Sequence, residues 1–409
     1  EDVDVGLHLL ELVFVLDTEA LLFVDDHESE VFELNLLGED AVRADHHVEQ
    51  RGNCGQGRTR GRTGPTRARC TPGPRRTSLR ADRRSARKDR TTRTAVNLVA
   101  CIGAGNVGRA WAIVFARAGC EVTLYDSAAG AVEQHALPAI QQSLRDLAAA
   151  GWVDDAAAIL ARIHATDSLP SAVCGATYVQ ESVKEDLATK RAVFAQLGQH
   201  APPETILASS TSAIPGSQFL DAAAQAERCL VAHPVNPPYL IPLVEVCPAP
   251  FTTPAVVDRC TEFLRRVGQQ PILVRREVPG FILNRLQFTL VAEALHLVGE
   301  GYCEPDDIDK VLKHGLAMRW AFIGPFEVAH LNATGGFAGF IDNLGDMMRT
   351  LARDAKTDYN WGPELVAAIH HELAKKTPVE QIAPRQAWRD RRIMALRTHL
   401  ADAADRLGE

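Results

Sequence analysis

Residues 98–126 read LVACIGAGNVGRAWAIVFARAGCEVTLYD, and this stretch decides the fold. It opens with an apolar run at 98–102, of the kind that forms a buried strand of a parallel sheet. The run enters the pattern G-x-G-x-x-G at 103–108, and apolar side chains then recur at helical spacing over 109–118. Residues 121–126 alternate as in a second strand. This order of elements predicts a dinucleotide-binding βαβ unit.

Each glycine of the pattern has a physical task in such a unit. Gly103 permits the tight turn, Gly105 lets the backbone approach a pyrophosphate, and Gly108 lets the helix pack on the strand. The helix N-terminus then holds the phosphates. Asp126 lies about twenty residues beyond the motif, where a carboxylate accepts the ribose hydroxyls, and no Arg follows it to pair with a 2′-phosphate. The cofactor predicted is NAD rather than NADP.

Polar residues follow two later apolar runs, at the edge where ligands of an open parallel sheet bind. Residues 206–212 run into a hydroxyl-rich loop, and residues 229–233 end in His233 before a proline-rich turn. The strand predicted at 243–246 contains Glu245, which can face His233. Oxidation of an alcohol needs a group that removes the hydroxyl proton, and a histidine oriented by a carboxylate suits this work.

Four motifs together resemble the 3-hydroxyacyl-CoA dehydrogenase family. They are GAGNVG at 103–108, STS at 210–212, AHPVNPP at 232–238 and PGFILNR at 279–285. Within the family, the chain is most similar to the lambda-crystallin, or L-gulonate 3-dehydrogenase, branch, which the late segment QAWRD at 386–390 also resembles. The resemblance extends from residue 96 to about residue 400.

The resemblance implies roles for particular residues. His233 is the expected base and Glu245 its partner, while Ser212 and Asn284 are expected to hydrogen-bond the reacting oxygen. The positions that match NAD contacts of the family are Asn106, Val107, Asp126, Glu185 and Lys190. Judged from spacing alone, Glu185 and Lys190 would instead lie on a solvated helix face.

The resemblance also implies the activity, the NAD-dependent oxidation of the 3-hydroxyl of an L-3-hydroxy acid or 3-hydroxyacyl substrate. One alternative is a 3-hydroxyacyl-CoA dehydrogenase of fatty acid metabolism, acting for example on 3-hydroxybutyryl-CoA. Residues 139–163 carry only Arg145 and Arg162 as cations, beside three aspartates, which favours a small free hydroxy acid over a phosphate-bearing carrier.

Two further alternatives belong to other classes. A hydroxyisobutyrate or 6-phosphogluconate type of dehydrogenase uses a helical Lys four residues before an Asn, a position that Gly280 occupies here. A non-catalytic, crystallin-like NAD-binding structural protein is the other alternative, and the intact catalytic set argues against it.

The chain divides by composition. We expect a Rossmann domain with a doubly wound parallel sheet at 96–277 and an all-α domain at 278–409. The resemblance implies that two copies of the chain form a homodimer through the all-α domain. Residues 1–50 are acidic and of uncertain fold, and the Arg/Gly/Pro-rich stretch 51–95 is expected to be disordered. A solvated linker is favoured there over a nucleic-acid-binding arm, because no nucleic-acid-binding domain follows. The first methionine is Met318, which suggests that synthesis starts at Val96.

The overall composition is that of a globular protein, with 46% hydrophobic residues among 409 and a formal charge of −8. The nine cysteines are scattered without a C-x-x-C pair, so neither a metal site nor a redox motif is predicted. No apolar run is long enough to span a bilayer. We expect a cytoplasmic enzyme with a small-molecule substrate and no nucleic-acid or membrane partner.

Overall fold

The computed structural model describes residues 97–408, together with the short antiparallel strands Phe23–Val24 and Val31–Phe32. Apart from these two strands, the predictions for residues 1–50 and 51–95 and the proposed start at Val96 lie outside the described residues. Within the described part, no helix is both long and apolar enough to cross a membrane.

A sheet of eight strands forms the centre of the first half of the described chain, residues 97–277. In chain order the strands are β1 (Leu98–Ile102), β2 (Glu121–Tyr125), β3 (Ile163–Thr166), β4 (Tyr178–Glu181), β5 (Ile206–Ser209), β6 (Cys229–Pro234), β7 (Leu243–Pro248) and β8 (Gln270–Leu273). Their order across the sheet is β8-β7-β6-β5-β4-β1-β2-β3. The first six strands are parallel and follow the doubly wound order of a Rossmann fold, with the switch point between β1 and β4.

The last two strands depart from the wholly parallel sheet that the sequence predicts. β7 runs antiparallel to β6, and β8 is parallel to β7. Only residues 235–242 connect β6 to β7, and a parallel connection needs a crossover of a dozen or more residues. The antiparallel turn brings the two strands into direct register.

Helices cover both faces of the sheet. The helices of this half are α1 (Asn106–Arg117), α2 (Leu137–Ala149), α3 (Ala156–Leu160), α4 (Leu169–Val173), α5 (Leu187–His200) and α6 (Pro254–Arg266). Alternate residues of β1 point to opposite faces, so that Val99 and Cys101 join the core beneath α1, α2 and α6. Ala100 and Ile102 join the second core, beneath α4 and α5.

The described residues after β8 form helices and their connections. These helices are α7 (Leu283–Gly299), α8 (Pro305–Val311), α9 (Ala317–Trp320), α10 (Pro325–Leu331), α11 (Gly336–Asp354), α12 (Pro363–Lys376) and α13 (Ile382–Leu407). The predicted fold class, a Rossmann domain followed by a helical domain, is therefore confirmed. The boundary predicted between residues 277 and 278 falls between β8 and α7.

Two compact units are distinguished by their internal contacts. Of the described residues, 97–322 and 347–408 belong to one unit, and 323–346 belong to the other. The sheet and every residue of the site described below belong to the first of these units.

Candidate active site

The glycine-rich turn after β1 is built at close quarters. Gly103 has a φ of +97°, and a Cβ added there would lie 2.6 Å from the Ser182 carbonyl oxygen. At Gly108 an added Cβ would lie 1.8 Å from the Gly103 carbonyl oxygen. A Cβ at Gly105, in contrast, would meet no atom within 4 Å. The outer two glycines are thus required by packing, while Gly105 leaves open space against the backbone.

That open space lies at the N-terminus of α1, where a dinucleotide fits. Gly105 is the N-cap residue and provides no side-chain cap, so the first amides of the helix, at Asn106 and Val107, have no intrahelical acceptor. Asp126 follows β2, and its carboxylate accepts hydrogen bonds from the amides of Ala104 at 2.8 Å and Ala128 at 3.0 Å. These residues match the demands of a pyrophosphate and of a ribose.

His233 and Glu245 form a buried pair at the other end of the site. The two residues lie directly opposite each other in the antiparallel register of β6 and β7. His233 Nδ1 is 2.8 Å from Glu245 Oε2, and their side chains are 5% and 1% exposed. The sequence-based expectation that they face each other matches this geometry.

The second carboxylate oxygen of Glu245 binds the backbone that leads into α7. Glu245 Oε1 accepts hydrogen bonds from the amides of Ile282 at 2.8 Å and Leu283 at 3.0 Å. Burial alone would raise the pKa of this carboxyl. Hydrogen bonds from His233 and from the two amides outweigh it, so the net pKa lies below the ordinary value. A carboxylate that stays ionised fixes the Nδ1–H tautomer of His233 and leaves Nε2 as a proton acceptor.

Ser212 and Asn284 meet across the connection between the two halves. Asn284 Nδ2 donates a hydrogen bond of 2.9 Å to the Ser212 carbonyl oxygen. Asn284 lies in the first turn of α7, directly after the amides that Glu245 holds. The four predicted catalytic residues thus form two contacting pairs, which the backbone at residues 282–284 joins.

Glu185 and Lys190 lie beside the Ser212 loop. Lys190 is 1% exposed, and its Nζ is 3.0 Å from Glu181 Oε1 and 3.4 Å from Glu185 Oε2. The interpretation of Lys190 as part of a solvated helix face is wrong, because its side chain is buried and its ammonium pairs with two carboxylates. The NAD contacts expected of Glu185 and Lys190 stay predictions.

The hydrogen-bond network around Ser210 was not predicted from the sequence. Ser210 Oγ accepts hydrogen bonds from Trp111 Nε1 at 3.2 Å and Gln180 Nε2 at 2.7 Å, and lies 2.9 Å from Ser182 Oγ. Glu181, at the end of β4, is completely buried. The signal that could have found the two β4 residues is the pair of polar residues that closes an apolar strand, Tyr178-Val179-Gln180-Glu181.

Comparison with known proteins assigns this arrangement to a family. Residues 98–278 match the family model "3-hydroxyacyl-CoA dehydrogenase, NAD binding domain", and residues 280–379 match "3-hydroxyacyl-CoA dehydrogenase, C-terminal domain". The chain belongs to the 3-hydroxyacyl-CoA dehydrogenase family. It is accordingly an NAD-dependent oxidoreductase, and the predicted cofactor is confirmed.

Individual relatives agree with this assignment. The chain is 42% identical over 303 residues to the lambda-crystallin homolog of Bos taurus, covering 73% of this chain and 94% of that protein. It is 35% identical to an L-carnitine dehydrogenase of Nocardiopsis dassonvillei, covering 78% and 98%. A similar solved structure is an NAD+-dependent dismutase, 5-formyl-3-hydroxy-2-methylpyridine 4-carboxylic acid 5-dehydrogenase. It has a TM-score of 0.64 and 28% identity and covers 75% of this chain and 99% of that chain.

Proposed function

We propose that this protein oxidises the 3-hydroxyl of a small L-3-hydroxy acid of the gulonate kind, with His233 as general base. The observation that carries the proposal is the buried contact of 2.8 Å between His233 Nδ1 and Glu245 Oε2. A surface histidine has no need of a buried carboxylate that also holds two backbone amides. Such a carboxylate keeps the imidazole in one tautomer and stabilises its protonated form.

The chemistry divides among the residues of the site. Bound NAD would supply the acceptor for the hydride that leaves C3. His233 Nε2 takes the proton of the hydroxyl, so that the alcohol becomes a ketone. In this proposal Ser212 and Asn284 hydrogen-bond the reacting oxygen, and Glu245 balances the charge that forms on the imidazole. The glycine turn at 103–108, with Asn106, Val107 and Asp126, holds the cofactor.

The charge of the segment at 139–163 supports a free acid over a CoA thioester. Of its two arginines, Arg162 donates a hydrogen bond to the Ala116 carbonyl oxygen at the end of α1. Arg145 is the remaining cation, so a CoA phosphate meets little to pair with in this segment. L-Carnitine, the substrate in the name of one relative, is likewise a free hydroxy acid.

We also infer that the protein is a cytoplasmic homodimer that associates through the helical half. α7 has 17 residues, of which only Ala292 is buried. Phe288 and Val291, which lie one turn apart, are 60% and 46% exposed, and an apolar face of this kind favours a protein partner. All seven cysteines in the described part of the chain are free, which favours a reducing compartment.

The substitution His233→Gln tests the base. We expect turnover to fall by about 10²–10⁴-fold, the usual contribution of a general base, while the dissociation constant of NAD stays nearly unchanged. His164→Gln is the matched control, because His164 also pairs with a glutamate, Glu121, but its side chain is 58% exposed. Wild-type turnover by His233→Gln would place the base elsewhere. An intact wild-type chain that binds NAD but oxidises no hydroxy acid or hydroxyacyl ester would favour a structural role.

A further inference from the structure

One carboxylate oxygen of Glu185 accepts hydrogen bonds from three consecutive residues of the loop that carries Ser212. Glu185 Oε1 accepts hydrogen bonds from Thr211 Oγ1 at 2.6 Å, from the Ser212 amide at 2.9 Å and from the Ala213 amide at 3.1 Å. Three donors on consecutive residues thus converge on a single atom. Charge-assisted bonds of this kind are about twice as strong as neutral ones.

The buried ammonium of Lys190 forms an ion pair with the other oxygen of the same carboxylate, whose side chain is 40% exposed. Lys190 Nζ lies 3.4 Å from Glu185 Oε2 and 3.0 Å from Glu181 Oε1. Glu181 also accepts a hydrogen bond from Ser209 Oγ at the end of β5, so the network is anchored in the sheet. A buried ammonium is stable only when paired, which commits Lys190 to these two carboxylates.

The loop in turn supports the helical half of the site. The Ser212 carbonyl oxygen accepts the hydrogen bond from Asn284 Nδ2. A displacement of residues 211–213 therefore moves both Ser212 and the acceptor that orients Asn284. In the proposed function, Ser212 and Asn284 are the two residues that hydrogen-bond the reacting oxygen.

We propose that Glu185 is a positioning residue for substrate, which acts by holding the Ser212 loop and, through it, Asn284. The role of Lys190 is to fix Glu185 in place. This inference rests on the proposed function for the roles of Ser212 and Asn284. The loop-holding role is separate from the NAD contact expected of Glu185, because it acts on kcat/KM for the hydroxy acid even when NAD is saturating.

A double-mutant cycle at saturating NAD isolates the loop-holding role. Glu185→Ala should lower kcat/KM for the hydroxy acid by up to about 10²-fold, the effect of a small misplacement of a reacting group. The same change made in a Ser212→Ala background should have a clearly smaller effect, since residues that act through one another are not additive. A part of the effect should remain, because the backbone carbonyl of residue 212 still orients Asn284. Glu185→Gln, which keeps one acceptor oxygen, should fall between Glu185→Ala and wild type. Glu204→Ala is the control, because the Glu204 side chain is 92% exposed.

A further measurement is independent of turnover. Hydrogen exchange at the Ser212 and Ala213 amides should become faster in Glu185→Ala and Glu185→Gln than in wild type. Unchanged exchange, or effects of Glu185→Ala and Ser212→Ala that simply multiply, would overturn the proposal. A wild-type chain without activity on any 3-hydroxy substrate would refute the proposed function instead, and the exchange result would still test whether Glu185 holds the loop.

Discussion

Glu245 divides its two carboxylate oxygens between two parts of the protein. Oε2 faces the His233 imidazole, and Oε1 holds the amides of Ile282 and Leu283 at the start of α7. One ionised group therefore orients the base and anchors the helix that carries Asn284. Loss of its charge should affect stability as well as catalysis.

The pH dependence of unfolding tests this dual role. The pKa of Glu245 in the folded protein is below its ordinary value of 4.5, so its charge adds stability above that pH. This contribution is lost as the pH falls through the lowered pKa, because the carboxyl becomes protonated. Protonated Glu245 is then uncharged, like the glutamine of the variant Glu245→Gln. The free energy of unfolding of wild type should exceed that of Glu245→Gln near neutral pH, and the difference should shrink on acidification. A difference that grows at low pH would contradict the assignment.

At the residue scale, the sequence predicted the groups that stand next to recognisable motifs. His233, Glu245, Ser212 and Asn284 belong to stretches whose order and residue types indicate chemistry, and the structure links them by contact. The burial of Lys190 could not be predicted, since its partner Glu181 lies nine positions away on a different element. Side-chain contacts between elements depend on packing, which local spacing does not record.

At the element scale, the strands that the sequence predicted are observed close to the predicted residues, and the ends of helices were predicted less well. The first strand is observed at the predicted residues, Leu98–Ile102, because its apolar run is buried on both faces. The helix predicted at 109–118 begins at Asn106 instead. Gly105 has extended backbone and caps it, although Asn and Gly in the first turn are weak helix formers. β7 is antiparallel to β6 because the connection between them is short. The pattern of residues within the strands does not indicate this direction.

The exposed face of α7 leads to a prediction for the proposed dimer. Phe288→Asp should shift the protein from dimer to monomer in sedimentation velocity, because burying a carboxylate in an apolar interface is unfavourable. Leu407→Asp makes a similar change at a residue that is 86% exposed near the end of α13, and should leave the dimer intact. A wild-type protein that sediments as a monomer, or a Phe288→Asp variant that remains dimeric, would show that this face does not form the interface.

At the scale of the whole molecule, the fold places two kinds of recognition at one edge of the sheet. The turn after β1 and Asp126 after β2 lie on one side of the switch point and fit a dinucleotide. The loop after β5 and His233 on β6 lie on the other side. Family membership and NAD dependence follow from this arrangement and from the matched family models. The substrate depends on charges at the entrance, which the fold leaves variable.

The most direct test of this account is the catalytic efficiency of the full chain with NAD on L-gulonate and 3-hydroxybutyryl-CoA, measured side by side. We predict NAD reduction with L-gulonate at the higher kcat/KM, because the segment at 139–163 offers few cations to a CoA phosphate. An efficiency for 3-hydroxybutyryl-CoA about a hundredfold above that for L-gulonate, equal to about 2.7 kcal/mol of transition-state stabilisation, would contradict the proposed substrate class. Absence of NAD reduction with both would contradict the proposed oxidation itself.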